Sequence, residues 1–307
     1  MGKTKLQALY TWLIVYSAAG FAAYGTAALV GDSGSIIATA FWADCAATMV
    51  IFAASLQRRN SSMYDAYWSI APIIILLYWA LNDPSTSVVK PVRTAGWLFI
   101  AAMSVWGFRL TFNCLRRWKG IHDEDWRYRM LKERYRTWKV IVDLFGIHFL
   151  PTIVVFIALL PAAFLFGHIG GVYGEPGTSW TAWPGFFGSF VILAGTVVEL
   201  AADEQLRRFR AEFGKNGIIQ TGLWQMVRHP NYLGELMVWW GVWIAGLSRA
   251  PLYTILCPLI MTLLFVKISI PMMEKHLLEK RPQYRRVIKT LPALIPVSFS
   301  GKKESHQ

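Results

Sequence analysis

The chain has 307 residues, of which 55% are apolar, 16% charged and 15% aromatic, with a net charge of +13. So much apolar surface excludes a water-soluble domain, and a positive balance of this kind needs no nucleic acid, because basic cytoplasmic faces sit against anionic lipid. Cys45, Cys114 and Cys257 lie far apart in apolar runs, which excludes a disulfide framework and a thiolate metal site.

A bilayer-spanning helix needs about 20 apolar residues. In chain order the candidates are Leu9–Val30, Ile36–Leu56, Ile70–Leu81 with an aromatic prelude from Tyr64, and Ala95–Cys114. Val140–Phe166, Trp183–Ala202, Leu236–Leu247 and Pro251–Ile270 follow. The first run is too long for a cleaved signal peptide and is expected to stay. Leu236–Leu247 crosses only if Pro230–Glu235 already starts its helix. The count is therefore eight spans, with seven as the alternative. Lys and Arg favour cytoplasmic loops, and with eight crossings 27 basic residues fall on one side against 3 on the other, leaving Arg109 inside a span. The expected fold is an all-α polytopic transmembrane bundle with both termini cytoplasmic. It forms one catalytic domain over residues 1–297, and a disordered tail begins at Ser298. The sequon at Asn60 falls on the cytoplasmic side and is not expected to carry a glycan. His168–Thr181, rich in glycine, reads as an outer loop or lid. Leu115–Lys139 reads as a surface-lying amphipathic segment anchored by Trp118, Trp126, Tyr128, Tyr135 and Trp138.

Polar residues that interrupt the spans mark candidate sites, since they are costly unless paired or facing a wet cavity. Asp44 lies mid-span in the second run, and Asp65 opens the third beside Tyr64 and Tyr67. A carboxyl kept neutral in such a setting can donate a hydrogen bond or act as a general acid. Arg109, Asn113 and Arg116 share a face at the end of the fourth run, and Glu124, Asp125, Arg127 and Tyr128 follow in the loop. Glu199, Asp203, Arg207 and Arg210 fall at about 0°, 40°, 80° and 20° around a helix, a single stripe. That stripe is either a salt-bridged helix end with Asp203–Arg207 as an i,i+4 pair, or a set of carboxylates fixing arginines that grip phosphate.

The run Arg228-His229-Pro230-Asn231-Tyr232-Leu233-Gly234-Glu235 is the densest polar cluster beside an apolar segment. Pro230 can start a helix without losing a hydrogen bond. Its first-turn amides, with Arg228 and His229, can receive phosphate. Asn231 and Glu235 can accept from an amide, Tyr232 can stack, and Gly234 lets a backbone or flat ligand come close. The alternative is an ordinary membrane-interface turn. No metal site is expected: His122, Asp123, Glu124 and Asp125 sit in a charged loop, while His148 and His168 are isolated. A Gly-x-Gly-x-x-Gly run after a strand is missing, which excludes a soluble dinucleotide fold.

With Thr221-Gly222-Leu223-Trp224, Arg228–Glu235 and Trp239-Trp240-Gly241 in hand, the chain resembles the steroid 5-alpha-reductase superfamily, and more closely its uncharacterised bacterial branch. The likeness runs from about residue 40 to residue 296. It implies a multi-span enzyme of the bacterial inner membrane that binds NADPH in a cytoplasm-facing cavity. Such an enzyme reduces a carbon–carbon double bond conjugated to a ketone, in a lipophilic substrate arriving from the bilayer. By that resemblance Asp203, Arg207 and Arg210 belong to the cofactor helix, and Asn231, Tyr232 and Glu235 to the nicotinamide side. Arg281 and Tyr284 close the adenosine side. Two departures stand out: Glu199 replaces an Asn, and the Gln/Glu pair that holds the steroid ketone is missing. Asp65, with Tyr64 or Tyr67, is then expected to hold the carbonyl, and Asp44 is the other available acid. Membrane methyltransferases related to isoprenylcysteine carboxyl methyltransferase share Arg-His-Pro-x-Tyr-x-Gly, follow it with Glu-x-x-Leu (here Glu274–Leu277) and bind S-adenosylmethionine. The arginines of the fourth and sixth runs favour the dinucleotide. A lipid-binding or scaffold relative without chemistry is a third possibility.

Overall fold

A computed structural model describes residues 3–31, 34–82, 90–169, 182–214, 217–247 and 249–296. Among them every regular element is helical: α1 (Lys3–Val30), α2 (Ile36–Arg58), α3 (Tyr67–Leu81), α4 (Lys90–Arg117), α5 (Trp126–Arg134) and α6 (Lys139–Ile141). Next come α7 (Leu150–Leu165), α8 (Trp183–Phe213), α9 (Pro230–Gly246), α10 (Leu256–Leu264), α11 (Ile270–Lys280) and α12 (Tyr284–Thr290). Most of the expected His168–Thr181 loop and the tail from Ser298 lie outside the described residues.

Among the described residues seven helical stretches are long and apolar enough to cross a bilayer: Gln7–Val30, Ile36–Arg58, Ser61–Leu81, Arg93–Arg117, Arg136–Leu165, Trp183–Phe213 and Leu252–Lys280. The protein is thus an integral multi-pass membrane protein, and Phe21, Leu29, Phe108, Phe190 and Leu252 present large apolar side chains at its surface, as lipid contact requires. The eighth expected segment is α9, a 17-residue helix that does begin at Pro230. At 1.5 Å per residue it reaches about 25 Å, at the lower end of what spans a hydrocarbon core.

Backbone contacts divide the chain into two compact units. The first comprises the residues up to Leu193 together with Trp239–Met261. In it α1 packs on α2 and α3 on α4. Apolar area gains nothing by moving from lipid to protein, so membrane helices associate through close packing at small residues. Gly188 of α8 and Gly241 of α9 do this: a β-carbon on Gly188 would lie 2.5 Å from the Gly241 carbonyl oxygen and from the Ala245 nitrogen. The Arg136–Leu165 stretch carries a π-helical segment at Val142–Phe149, where the Leu150 amide reaches back five residues to the Phe145 carbonyl. Such segments recur at sites where a helix must re-aim its side chains.

The second unit comprises Ala194–Val238 and the residues from Thr262 onward. Here too glycines set the distance between helices. A β-carbon on Gly234 of α9 would meet the Gly195 carbonyl oxygen at 2.6 Å and the Glu199 nitrogen at 2.8 Å. Gly234 therefore admits a backbone, α8, and not a flat ligand. The Thr221–Trp224 run lies against the same helix, with the Trp224 indole donating to the Ala202 carbonyl at 3.0 Å and the Leu223 amide donating to Gln205 at 2.9 Å.

Gly188→Val is expected to cost about 1–3 kcal/mol through overpacking and to lower the thermal midpoint in detergent. Gly25→Val, at a helical glycine with nothing within 4 Å of an added β-carbon, is expected to leave it unchanged.

Candidate functional site

The first unit contains a cavity of about 570 Å³ between α1, α2 and α3. Its walls are mostly alanine and isoleucine, with Asp44, Tyr16, Tyr24, Tyr67 and Tyr78 as the polar exceptions. Asp44 is 94% buried, its exposure being 6%. The Tyr67 hydroxyl donates to Asp44 Oδ1 and lies 3.2 Å from the Asp44 carbonyl oxygen. Tyr16 meets Tyr67 edge to face and donates its hydroxyl to the Met63 carbonyl at 2.9 Å. One carboxyl and one phenol are thereby fixed on the wall of an apolar chamber inside the spanning helices.

Of the acids singled out from sequence, Asp44 is the one on this wall; Asp65 is not. The Tyr128 hydroxyl donates to Asp65 Oδ1 at 2.6 Å, so Asp65 belongs to the junction between α3 and the loop before α5. Tyr64, fully buried, bonds the Thr152 hydroxyl at 2.7 Å and also lies off the cavity. The reason is the turn before α3. Arg59 ends α2 in the left-handed region at φ 53°, and the Asn60 side chain caps a single 3₁₀ turn by accepting from the Ser62 amide. That turn aims Tyr64 and Asp65 away from Asp44, while Tyr67 comes round to face it.

The junction is a closed polar network. Asn60 donates to the Ile121 carbonyl, the Ser61 amide to Glu124 at 2.8 Å, and the Asp125 amide to the Ser62 hydroxyl at 2.9 Å. Burial alone would raise the Asp125 pKa, but the charge and forked hydrogen bonds of Arg127, at 2.9 and 3.0 Å, outweigh it and hold the carboxyl below its usual range. Trp118, expected as a surface anchor, is instead buried and stacks on Trp12 of α1 at 4.4 Å. Trp138, by contrast, is 62% exposed.

His148, read from sequence as isolated, is the centre of a second buried group. Its Nδ1 lies 2.9 Å from the Asp143 carbonyl oxygen and its Nε2 3.1 Å from the Ser55 hydroxyl, while Ser61 donates to Asp143 Oδ1 at 2.6 Å. The five-residue reach of the π segment brings Asp143 and His148 together. A hydroxyl, an imidazole and a carboxylate stand in nucleophile order here. Ser55 and His148 are wholly buried and line no part of the cavity, so the group ties α2 to the π-helical segment before α7. A carboxylate inside an apolar run was the signal for Asp143, the same signal that marked Asp44. Still in the first unit, Asn113 is buried and accepts from Arg116 at 3.1 Å, and Arg109 has buried guanidinium nitrogens.

In the second unit the Arg228 cluster is folded onto the chain's own C-terminal segment. Arg228 donates to Glu274 at 2.7 Å and to the Ile288 and Leu291 carbonyls at 2.8 and 2.7 Å. His229 reaches the same Glu274 oxygen at 3.0 Å, and its ring stacks on Tyr232 at 5.3 Å. Arg228 is thus engaged by a carboxylate and two carbonyls of that segment. Tyr284 is buried beside these groups; desolvation, then the Glu274 charge, pushes its phenol up to about 12. On α8 the expected Asp203–Arg207 pair gives way to Glu204, which takes the Arg207 fork at 2.6 and 2.7 Å and Arg208 at 2.9 Å. A three-residue spacing lets the guanidinium lie flat against both carboxylate oxygens. Arg207 and Arg210 are exposed, whereas Glu199 and Glu235 are buried. Among the described residues no three of His, Cys, Asp and Glu gather as metal ligands.

Removing one partner of a mostly buried ion pair costs about 3–5 kcal/mol. Arg228→Ala and Glu274→Ala are each expected to lower the thermal midpoint without any ligand present, and the double variant to cost less than their sum. If Arg228→Ala leaves the midpoint unaltered, its structural role is wrong.

An uncharacterized protein of Schizosaccharomyces pombe is 25% identical to the chain over 220 residues, which cover 64% of this chain and 60% of that protein. The chain thus spans less than two thirds of that relative's length. No solved structure matches. A family model described as a protein of unknown function, DUF1295, matches residues 51–291, and the chain belongs to that family.

Proposed function

We propose that the protein is a membrane-embedded reductase that saturates a carbon–carbon double bond conjugated to the carbonyl of a lipophilic substrate. The observation that carries this reading is the Asp44–Tyr67 pair on the wall of the apolar cavity. With Asp44 protonated the pair can turn one proton outward: the carboxyl donates to the Tyr67 oxygen and the Tyr67 hydroxyl donates to a neutral substrate carbonyl, stabilising the negative charge that grows on its oxygen as the β-carbon is reduced. The apolar walls keep water from competing. The role first expected of Asp65 thus passes to Asp44, with Tyr67 as its partner.

The reading assigns NADPH as the reductant; when bound it supplies the hydride. The residues of α8 fit a phosphate-bearing group. An exposed arginine held by one surface carboxylate exchanges that partner at little cost, and Arg207 is held only by Glu204. Arg207 and Arg210, with Arg281 and Tyr284, would hold the group, whereas Arg127 and Arg228 are committed to Asp125 and Glu274. Within this proposal the membrane topology has eight crossings, α9 included, with both termini cytoplasmic in a bacterial inner membrane. The 27-to-3 division of basic residues supports it.

Glu274 beside Arg228 and His229 favours a second reading, an S-adenosylmethionine-dependent methyltransferase. Against it, the arginines of α8 suit a phosphate-bearing cofactor, and S-adenosylmethionine carries no phosphate.

Thermal stability of the detergent-solubilised protein separates the two, since a ligand that binds only the folded state raises it. NADPH is expected to raise the midpoint, and Arg210→Ala to abolish the rise. Tyr67→Phe is expected to keep the NADPH shift and to lose about 10²-fold in turnover of a lipophilic enone. A midpoint raised by S-adenosylmethionine alone sinks the reductase reading.

A further inference from the structure

We propose that α1 and the first half of α2 form the specificity element of the cavity, selecting neutral carbonyl lipids by their width. The inference rests on the cavity being a substrate pocket and not on the identity of the reductant.

Three walls enclose the cavity, and they differ in kind. The α3 wall is bulky, with Tyr67, Ile70, Ile74, Ile75 and Tyr78. The α1 wall is small except at Tyr16 and Tyr24: Ala19, Gly20, Ala23, Ala27 and Ala28 make up the rest of it, and α2 adds Ala40, Ala43 and Ala47 around Asp44. Leu13, Phe21 and Leu29 of α1 face outward, at 65%, 77% and 84% exposure. The width of the chamber is therefore set by β-carbons on α1 and α2, and each added carbon there subtracts directly from it. The polar pair stands near one end of the lining, because Tyr67 is the first lining residue of α3 and Tyr78 the last. Eleven residues of helix separate them, about 17 Å, so a bound lipid has its carbonyl at Tyr67 and its apolar body running along the alanine wall.

The geometry also supplies a clean test. A β-carbon on Gly20 meets nothing within 4 Å, and Gly20 lines the cavity. Gly25 is equally free of neighbours but is outside the lining. Gly20→Phe should therefore fill the chamber without disturbing packing, and Gly25→Phe should be inert. Full-length protein in nanodiscs is titrated with two diazirine-bearing probes, a tetracyclic enone and a linear long-chain enone, and labelling yields apparent dissociation constants. Wild-type protein is expected to bind. In Gly20→Phe the ratio of the two constants should shift about tenfold or more against the tetracyclic probe, Ala23→Phe should act in the same direction, and Gly25→Phe should leave the ratio as it is. An unmoved ratio in Gly20→Phe, or a wild-type protein that binds neither probe, overturns the inference. A moved ratio without NADPH-dependent reduction defeats the reductase reading alone, whereas reduction with an unmoved ratio defeats the width filter alone.

Discussion

The hydrogen bond from Tyr67 to Asp44 is the interaction on which the first unit's cavity depends. A carboxyl among spanning helices is costly unless a partner meets it, and the phenol meets it from the facing helix. The bond therefore does two things. It makes Asp44 tolerable in the apolar interior, and it leaves the carboxyl and hydroxyl together on a wall that otherwise offers nothing polar but tyrosines. Around it the protein invests heavily in holding Tyr67 still. The Asn60-capped turn, the Ser61–Asp143 and Ser55–His148 bonds, and the stack of Trp12 on Trp118 all brace the base of α3 or the adjoining helices.

Polar groups in this protein divide into those that are spent and those that remain available. Arg127 closes on Asp125, and Arg228, largely removed from water, closes on Glu274 and two carbonyls. Both act as fasteners, the first for the loop before α5 and the second for the C-terminal segment. Arg207, by contrast, is exposed and held by one carboxylate of its own helix. The difference in burial separates Arg228 from Arg207, because a buried pair is costly to break whereas an exposed one exchanges its partner readily.

The helices were legible because hydropathy is local: each apolar run became a helix, and Pro230 began α9 as its missing N–H led one to expect. Asp44 was legible as a suspect for the same local reason, a charge in an apolar run. What could not be read was orientation. Whether Asp44 or Asp65 faced the cavity depended on a left-handed residue at Arg59 and one 3₁₀ turn, which no periodicity announces. The partners of Arg228 stayed hidden because they lie 46 and 60 or more residues further along the chain. His148 looked isolated because an α-helical reading places Asp143 on another face, and only the π segment brings them together. Glu204 was passed over in favour of Asp203 because a helical wheel records direction but not the reach of a guanidinium.

The central claim is that Asp44 and Tyr67 together grip a neutral carbonyl. It is tested most directly by solid-state carbon-13 spectroscopy on a lipophilic enone labelled at its carbonyl and bound in nanodiscs without any reductant. The carbonyl resonance is expected to move downfield on binding to wild-type protein, less far in Asp44→Asn, and hardly at all in Tyr67→Phe at full occupancy. A bound carbonyl whose resonance is the same in wild type and Tyr67→Phe contradicts the account.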